Sequence, residues 1–168
     1  MKLAFELNGK ATELEIEPRE TLAEMLRARC RLTGVKLSCE AQVCGACTVL
    51  VDGLPVSACT YLAYEARGKR VLTIEGLSPE GGKLHPLQQA FIDQFAFQCG
   101  FCTPGMILAA KALLDEKPRP TREEIIAYMD GNLCRCTGYL AIVKAIEQVI
   151  AQVIDHVASA EREHAQAR

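Results

Sequence analysis

The sequence predicts an α+β protein in two parts, a sheet-rich N-terminal module followed by a helical C-terminal one. Three observations predict it. Through about residue 75, apolar residues alternate with polar ones and are punctuated by Asn-Gly and Asp-Gly pairs, a strand-and-turn pattern. From Pro86 onward the apolar residues recur at helical spacing instead. Eight of the nine cysteines form two groups of four, one in each part, and the groups have different internal spacing.

Residues 2–8 and 11–17 predict a β-hairpin. Leu3, Phe5 and Leu7 alternate, as do Leu14 and Ile16, and Asn8-Gly9 supplies the turn. Thr21 opens a short helix whose apolar stripe is Leu22, Met25 and Leu26. The strand Thr48-Val49-Leu50-Val51 turns at Asp52-Gly53 into a partner ending near Cys59, and a further strand runs from Arg70 to Ile74. Strand–strand–helix–loop–strand–strand in about 75 residues predicts a module of the β-grasp kind, with its cysteine loop on one edge. Glu75 to Lys83 carries three glycines, a proline and no periodicity, which predicts a linker.

In the second part, Leu87, Ala90, Phe91 and Phe95 share the spacing of one helix. Thr103-Pro104 reads as an N-cap and first-position proline ahead of Met106 to Leu114. Pro118-Arg119-Pro120 breaks that helix, and Thr121-Arg122-Glu123-Glu124 is a capping box for the next. The last helix follows Thr137-Gly138 and carries Ile142, Ile146, Val149, Ile150 and Val153. Four helices in so short a span predict a small bundle, and the polar tail from Ala158 to Arg168 is expected to fray. The expected division is a cysteine-bearing sheet domain over 1–76, a linker over 77–85, a helical domain over 86–160 and a polar tail over 161–168.

Composition excludes several function classes. Nineteen Lys and Arg against 21 Asp and Glu give a net charge of -2, which argues against a nucleic-acid partner. No stretch approaches the roughly 18 apolar residues of a membrane span. The first eight residues alternate instead of forming an apolar signal core, so a cytoplasmic protein is expected. Nine cysteines cannot all pair within one chain, and thiols kept reduced in the cytosol serve chiefly as ligands or nucleophiles.

The first group is Cys39-x4-Cys44-x2-Cys47-x11-Cys59, which matches the plant-type ferredoxin run. Three ligands within nine residues imply one loop wrapped around a compact object, its amides turned inward toward sulfur. Gly45 sits where so tight a path needs a residue without Cβ. The second group is Cys99-x2-Cys102-x31-Cys134-x1-Cys136. Each of its pairs lies just before a predicted helix, so two helix N-termini are expected to converge on a site that also staples helices with little core of their own. Structural zinc is the competing occupant, because Cys-x2-Cys occurs once in each group. Against zinc stand the Cys-x4-Cys-x2-Cys run and the unusual Cys-x1-Cys pair.

Two long motifs carry a family resemblance. Gln98-Cys99-Gly100-Phe101-Cys102-Thr103-Pro104-Gly105-Met106 and Gly131-Asn132-Leu133-Cys134-Arg135-Cys136-Thr137-Gly138-Tyr139, with Cys44-Gly45-Ala46-Cys47-Thr48-Val49, closely resemble the small iron–sulfur subunit of the xanthine oxidase family of molybdenum hydroxylases. The resemblance runs from about residue 2 to 155. It implies a [2Fe-2S] cluster on Cys39, Cys44, Cys47 and Cys59 in a plant-ferredoxin-like domain. A second is implied on Cys99, Cys102, Cys134 and Cys136 in a four-helix domain. Partner subunits are implied as well: a large one binding molybdopterin and a medium one binding FAD, with a dimer of heterotrimers as one arrangement of the complex. Electrons would run from molybdenum through the helical-domain cluster to the ferredoxin-like one and on to FAD, with Gln98 and Cys136 at positions that approach the pterin. Many members have glycine where this chain has Ser38 and Gln42, so either a different local backbone or some strain is expected in the first ligand loop.

Other residues read more blandly. Cys30 is expected to be a buried small hydrophobe. His85, His156 and His164 suggest surface or helix-start positions, and Lys36 and Arg70 ordinary solvated charges. Arg135, between two ligands, either steers a potential or faces solvent or a partner. The chain offers no acid, base or nucleophile for substrate chemistry, so the expected function is electron transfer inside a molybdenum-dependent oxidoreductase. A zinc-stabilised binding module and a free-standing two-cluster ferredoxin are the rivals.

Overall fold

The two turn pairs seen in the sequence set the sheet. In the computed structural model, which describes residues 1–78 and 82–166, strands β1 (Lys2–Leu7) and β2 (Lys10–Glu15) are joined at Asn8 and Gly9, with φ of 51° and 77°. Strands β3 (Thr48–Val51) and β4 (Leu54–Ser57) are joined at Asp52 and Gly53, with φ of 50° and 87°. Left-handed backbone at both central residues matches the twist of the flanking strands, which is why these pairs make two-residue hairpins. Strand β5 (Arg70–Leu72) lies between the hairpins, parallel to β1 and antiparallel to β3, giving one mixed sheet of order β2-β1-β5-β3-β4.

Strand β5 ends two residues short of the expected Ile74. Its partner β1 turns away at Asn8, so Thr73 loses its ladder partner and its N–H goes to Asn8 Oδ1 at 2.8 Å. Ile74–Gly76 then form a 3₁₀ turn. Helix α1 (Leu22–Ala28) starts as expected, with Thr21 and Glu24 closing a capping box and Leu22, Met25 and Leu26 buried.

Helices α2 (Pro86–Asp93), α3 (Thr103–Glu116), α4 (Arg122–Met129) and α5 (Leu140–Gln166) follow. Two start signals behave as read: Thr121 and Glu124 cap α4, and His85 caps α2 by accepting the Leu87 N–H on Nδ1 at 3.2 Å. Two readings need correction. Phe95 does not continue α2; the helix stops at Asp93, and Phe95 takes a φ of 50° and is 83 % exposed, while Ala96 is buried in its stead. The N-cap of α3 is Cys102, and Thr103 is already the first helical residue. The predicted fraying after Ala158 is not seen through Gln166, a stretch of good helix formers in Ala, Glu, Arg and Gln. Both ends of the expected linker are fastened: Leu77 is buried at one, and the His85 N–H donates to Gln88 Oε1 at 2.8 Å at the other.

Two hydrophobic cores meet at β3, which is buried on both faces. Val49 and Val51 join a core with Leu3, Phe5, Leu22, Met25 and Leu26, whereas Leu50 points into the helical core of Leu87, Phe91, Met106, Leu108, Ile125, Ile142 and Ile146. The helices are therefore not short of core, contrary to the expectation from sequence. They gain a wall of sheet that helical periodicity alone does not reveal. Among the described residues no helix is long and apolar enough to cross a membrane.

Candidate metal centres

The loop between α1 and β3 carries Cys39, Cys44 and Cys47, and Cys59 follows β4. Its path is set by left-handed residues at Glu40, Gln42 and Gly45, with φ of 53°, 57° and 65°. Alternation of this kind turns successive amides toward one side, forming an anion-holding nest. Cys39 Sγ accepts N–H groups from Ala41, Val43 and Cys44 at 3.5, 3.4 and 3.4 Å. Those amides, with help from the Cys44 thiol, draw the Cys39 thiol down from its ordinary value to about 6. The strain expected in this loop is present at Gln42, whose side chain accepts the Thr60 hydroxyl at 3.2 Å, and Ser38 does not share it.

Cys47 and Cys59 lie deeper, at 3 % and 8 % exposure. Burial pushes the Cys47 thiol up to about 12, and the neighbouring Cys59 and Cys44 add to the shift. The Cys47 sulfur is held protonated by its burial unless positive charge is set beside it, which a bound metal ion would supply.

The second group joins the α2–α3 and α4–α5 connections. Cys99 and Cys136 sulfurs stand 3.6 Å apart. Cys102 and Cys134 are within hydrogen-bonding reach of each other, and burial drives the Cys102 thiol up to about 12. Burial also works to raise Cys134, but the Thr137 hydroxyl and amide, the Cys136 amide and Cys102 together bring it below its ordinary value. Only one of the two expected helix N-termini begins at a cysteine of the group. Cys102 occupies the N-cap position of α3, although its sulfur makes no capping bond, whereas Thr137 to Tyr139 separate Cys136 from α5. A cavity of about 600 Å³ opens here, lined by Cys44, Cys99, Cys102, Cys134 and Cys136, with the exposed Arg135 at its edge.

Neither foursome is gathered around one point. Among the described residues no group of three or more His, Cys, Asp and Glu side chains could hold a single metal ion. In the second group the thiols stand two by two, Cys99 with Cys136 and Cys102 with Cys134, and in the first Cys39 with Cys44 and Cys47 with Cys59. Two thiolates per metal is the ligand demand of a two-iron cluster. The Thr103 hydroxyl, next to Cys102 in sequence, is buried without a hydrogen-bond partner among the described residues. The donor sets fit [2Fe-2S] clusters.

Sequence reasoning missed how closely the two groups are joined. Leu133 N–H donates to Cys44 O at 2.9 Å, linking a residue beside Cys134 to a cysteine of the other group. Asn132, only 6 % exposed, donates to Gly45 O at 2.9 Å and Thr48 Oγ1 at 3.3 Å. Gly45 and Gly105 permit the approach, since a Cβ on Gly45 would lie 2.5 Å from Asn132 Nδ2 and one on Gly105 would lie 2.4 Å from Gly45 O. The available signal was a Gly-Asn pair just before a ligand, which has no reason to be there unless its amide is used. Gln98 Nε2 donates to Cys136 O at 3.1 Å, so the pair expected near a pterin is brought together. Cys30 packs against the first core and its thiol is raised by burial, the behaviour of a small hydrophobe. His156 and His164 lie outside the described side chains.

Comparisons with known proteins bear on both groups. Residues 5–73 match the 2Fe-2S iron-sulfur cluster binding domain, and residues 73–147 match the [2Fe-2S] binding domain. The chain is similar to the nicotinate dehydrogenase small FeS subunit of Eubacterium barkeri, 50 % identical and covering 86 % of this chain and 91 % of that one. It is similar to the nicotine 6-hydroxylase small subunit of Paenarthrobacter nicotinovorans, 47 % identical and covering 91 % and 92 %. Among solved structures, a chain of quinoline 2-oxidoreductase from Pseudomonas putida 86 superposes with a TM-score of 0.87 at 45 % identity, covering 93 % of this chain and 96 % of that one.

Proposed function

The chain belongs to the small iron–sulfur subunits of the xanthine oxidase family of molybdenum hydroxylases, and from that premise we propose how its residues carry electrons. It is the electron-transfer subunit of an oxidoreductase complex and converts no substrate itself. Cys39, Cys44, Cys47 and Cys59 hold one [2Fe-2S] cluster in a β-grasp, ferredoxin-like domain, over about residues 1–76. Cys99, Cys102, Cys134 and Cys136 hold the other in a four-helix domain over about 86–160. Each cluster, when bound, takes up and releases one electron at a time.

The observation that carries this reading is the two-by-two pairing of thiols in two groups tied by the Cys44–Leu133 hydrogen bond. The chain's own work is to hold the two sites at a fixed separation and to supply hydrogen bonds to sulfur. Gln98 and Cys136, bonded side chain to backbone, face the molybdopterin of a large partner subunit. A medium subunit holds FAD as the onward acceptor, and the complex is cytoplasmic. Nine free thiols support a reducing compartment.

Low-temperature EPR of the dithionite-reduced, natively purified complex tests the reading, with iron and molybdenum counted on the same sample. Two distinct [2Fe-2S] signals, about four irons per copy of this chain and co-purifying molybdenum are expected, two irons per cluster. A colourless, EPR-silent sample carrying zinc sinks it.

A further inference from the structure

The second cysteine group carries a hydrogen-bonded clasp that the first does not have. Thr137 Oγ1 donates to Cys134 Sγ at 3.1 Å, and the Thr137 N–H approaches the same sulfur at 3.5 Å. The hydroxyl is free to donate there, because its oxygen accepts the Tyr139 N–H at 3.2 Å on a lone pair and its single proton remains for sulfur. Tyr139 also holds the cysteine from its backbone side, its phenol oxygen accepting the Cys134 N–H at 2.9 Å. Tyr139 sits at a φ of 68°, unfavourable for any residue with a side chain, and such backbone persists only where surrounding contacts over-determine it.

We propose that the Thr137 hydroxyl, oriented by the Tyr139 amide, sets the reduction potential of the second cluster by donating to Cys134 Sγ. The proposal rests on the assignment of Cys99, Cys102, Cys134 and Cys136 to that cluster. One-electron reduction adds negative charge that the ligand sulfurs share. A donor aimed at one of them therefore stabilises the reduced form more than the oxidised form and raises the potential. The N–H···O–H···S chain strengthens that donor by polarisation. Among the described residues no equivalent serves the first group. There the donors to Cys39 are backbone amides, and Thr48, which follows Cys47, spends its hydroxyl on Gly45 O at 2.7 Å. A plain turn role for Thr137, shaping the entry to α5 through the Tyr139 amide, is the alternative that must be separated.

The experiment is an EPR-monitored redox titration of both cluster signals in the natively purified complex, comparing wild type with T137V and T137S. T137V keeps the shape and loses the proton donor, so the potential of one cluster shifts downward while the other stays put; T137S returns it to the wild-type value. A fully loaded T137V complex with both potentials unchanged, or with both shifted equally, overturns the proposal. Should T137V not hold its iron, T137A carries the same comparison. Loss of the cluster from both, with T137S loaded, overturns tuning in favour of a structural role. A wild-type complex with a single [2Fe-2S] signal and about half the iron fails differently, by removing the cluster assignment itself.

Discussion

The two cysteine groups solve one electrostatic problem by different means. The first surrounds its exposed sulfur, Cys39, with three amides delivered by a left-handed loop, and buries Cys47 and Cys59 against the sheet core. The second adds side chains to the amides of Phe101, Cys136 and Thr137: the Thr137 hydroxyl donates to Cys134, the Tyr139 phenol accepts the Cys134 N–H, and Gln98 donates to the Cys136 carbonyl. Backbone donors come with the path of the chain and are indifferent to which side chains decorate it. Side-chain donors can be exchanged one at a time. The first site is thus fixed by its fold, and the second is open to adjustment by substitution, beside a cavity that its own cysteines line.

The seam between the groups is where that contrast is most easily broken. Gly45 belongs to the first loop but touches the second, through Asn132 and Gly131. Gly45→Ala places a Cβ 2.5 Å from Asn132 Nδ2 and 2.6 Å from the Gly131 carbonyl oxygen, on a backbone with a φ of 65°. Left-handed strain plus overpacking against backbone costs roughly 2–4 kcal/mol. Thermal unfolding of the variant should show that loss, and both EPR signals should change, since the displaced loops carry Cys44 and Cys134. Gly53→Ala is the control, with a φ of 87° but open space around it; it should cost only about 1 kcal/mol and leave both signals alone. Equal costs for the two would mean that the seam is not tightly packed.

Asn132→Ala tests the same seam from the other side. It removes both hydrogen bonds of a buried amide, while Gly45 O keeps the Thr48 hydroxyl and N–H, at a cost of about 1–3 kcal/mol. Asn132 carries no ligand, so each cluster should still assemble. The expected result is a lower melting temperature with the iron content unchanged. Loss of one cluster and not the other would show that Asn132 serves a single site.

How much of this was legible beforehand follows from the range of each interaction. Hairpins, caps and ligand spacing are local, and Asn8-Gly9, Asp52-Gly53 and the Thr121 box were readable for that reason. In the sequence Leu50 is one more strand residue, although it faces a different core from Val49 and Val51, because only the packed helices distinguish the two faces of β3. Phe95 fitted a helical stripe on paper, but α2 ends at Asp93 and leaves it exposed. The bonds from Asn132 to Gly45 and from Leu133 to Cys44 join residues nearly ninety positions apart, and no pattern in one sequence marks such a pair.

The smallest expected effect lies at Gln42, and it sharpens the contrast most. Its left-handed backbone, at a φ of 57°, costs about 1–2 kcal/mol that glycine would not pay. Against this, glycine loses about 0.4–1 kcal/mol more backbone freedom on folding. It also gives up the Thr60 hydroxyl bond to Gln42 Oε1, an exposed contact worth about 0.5 kcal/mol. The terms nearly cancel, so Gln42→Gly should leave stability within about 0.5 kcal/mol of wild type. The amides that point at Cys39 belong to Ala41, Val43 and Cys44, not to the Gln42 side chain, so the first cluster's potential should also stay where it is. That insensitivity is what a site built from backbone donors predicts. A shift at the first cluster as large as the one T137V produces at the second would erase the distinction between them.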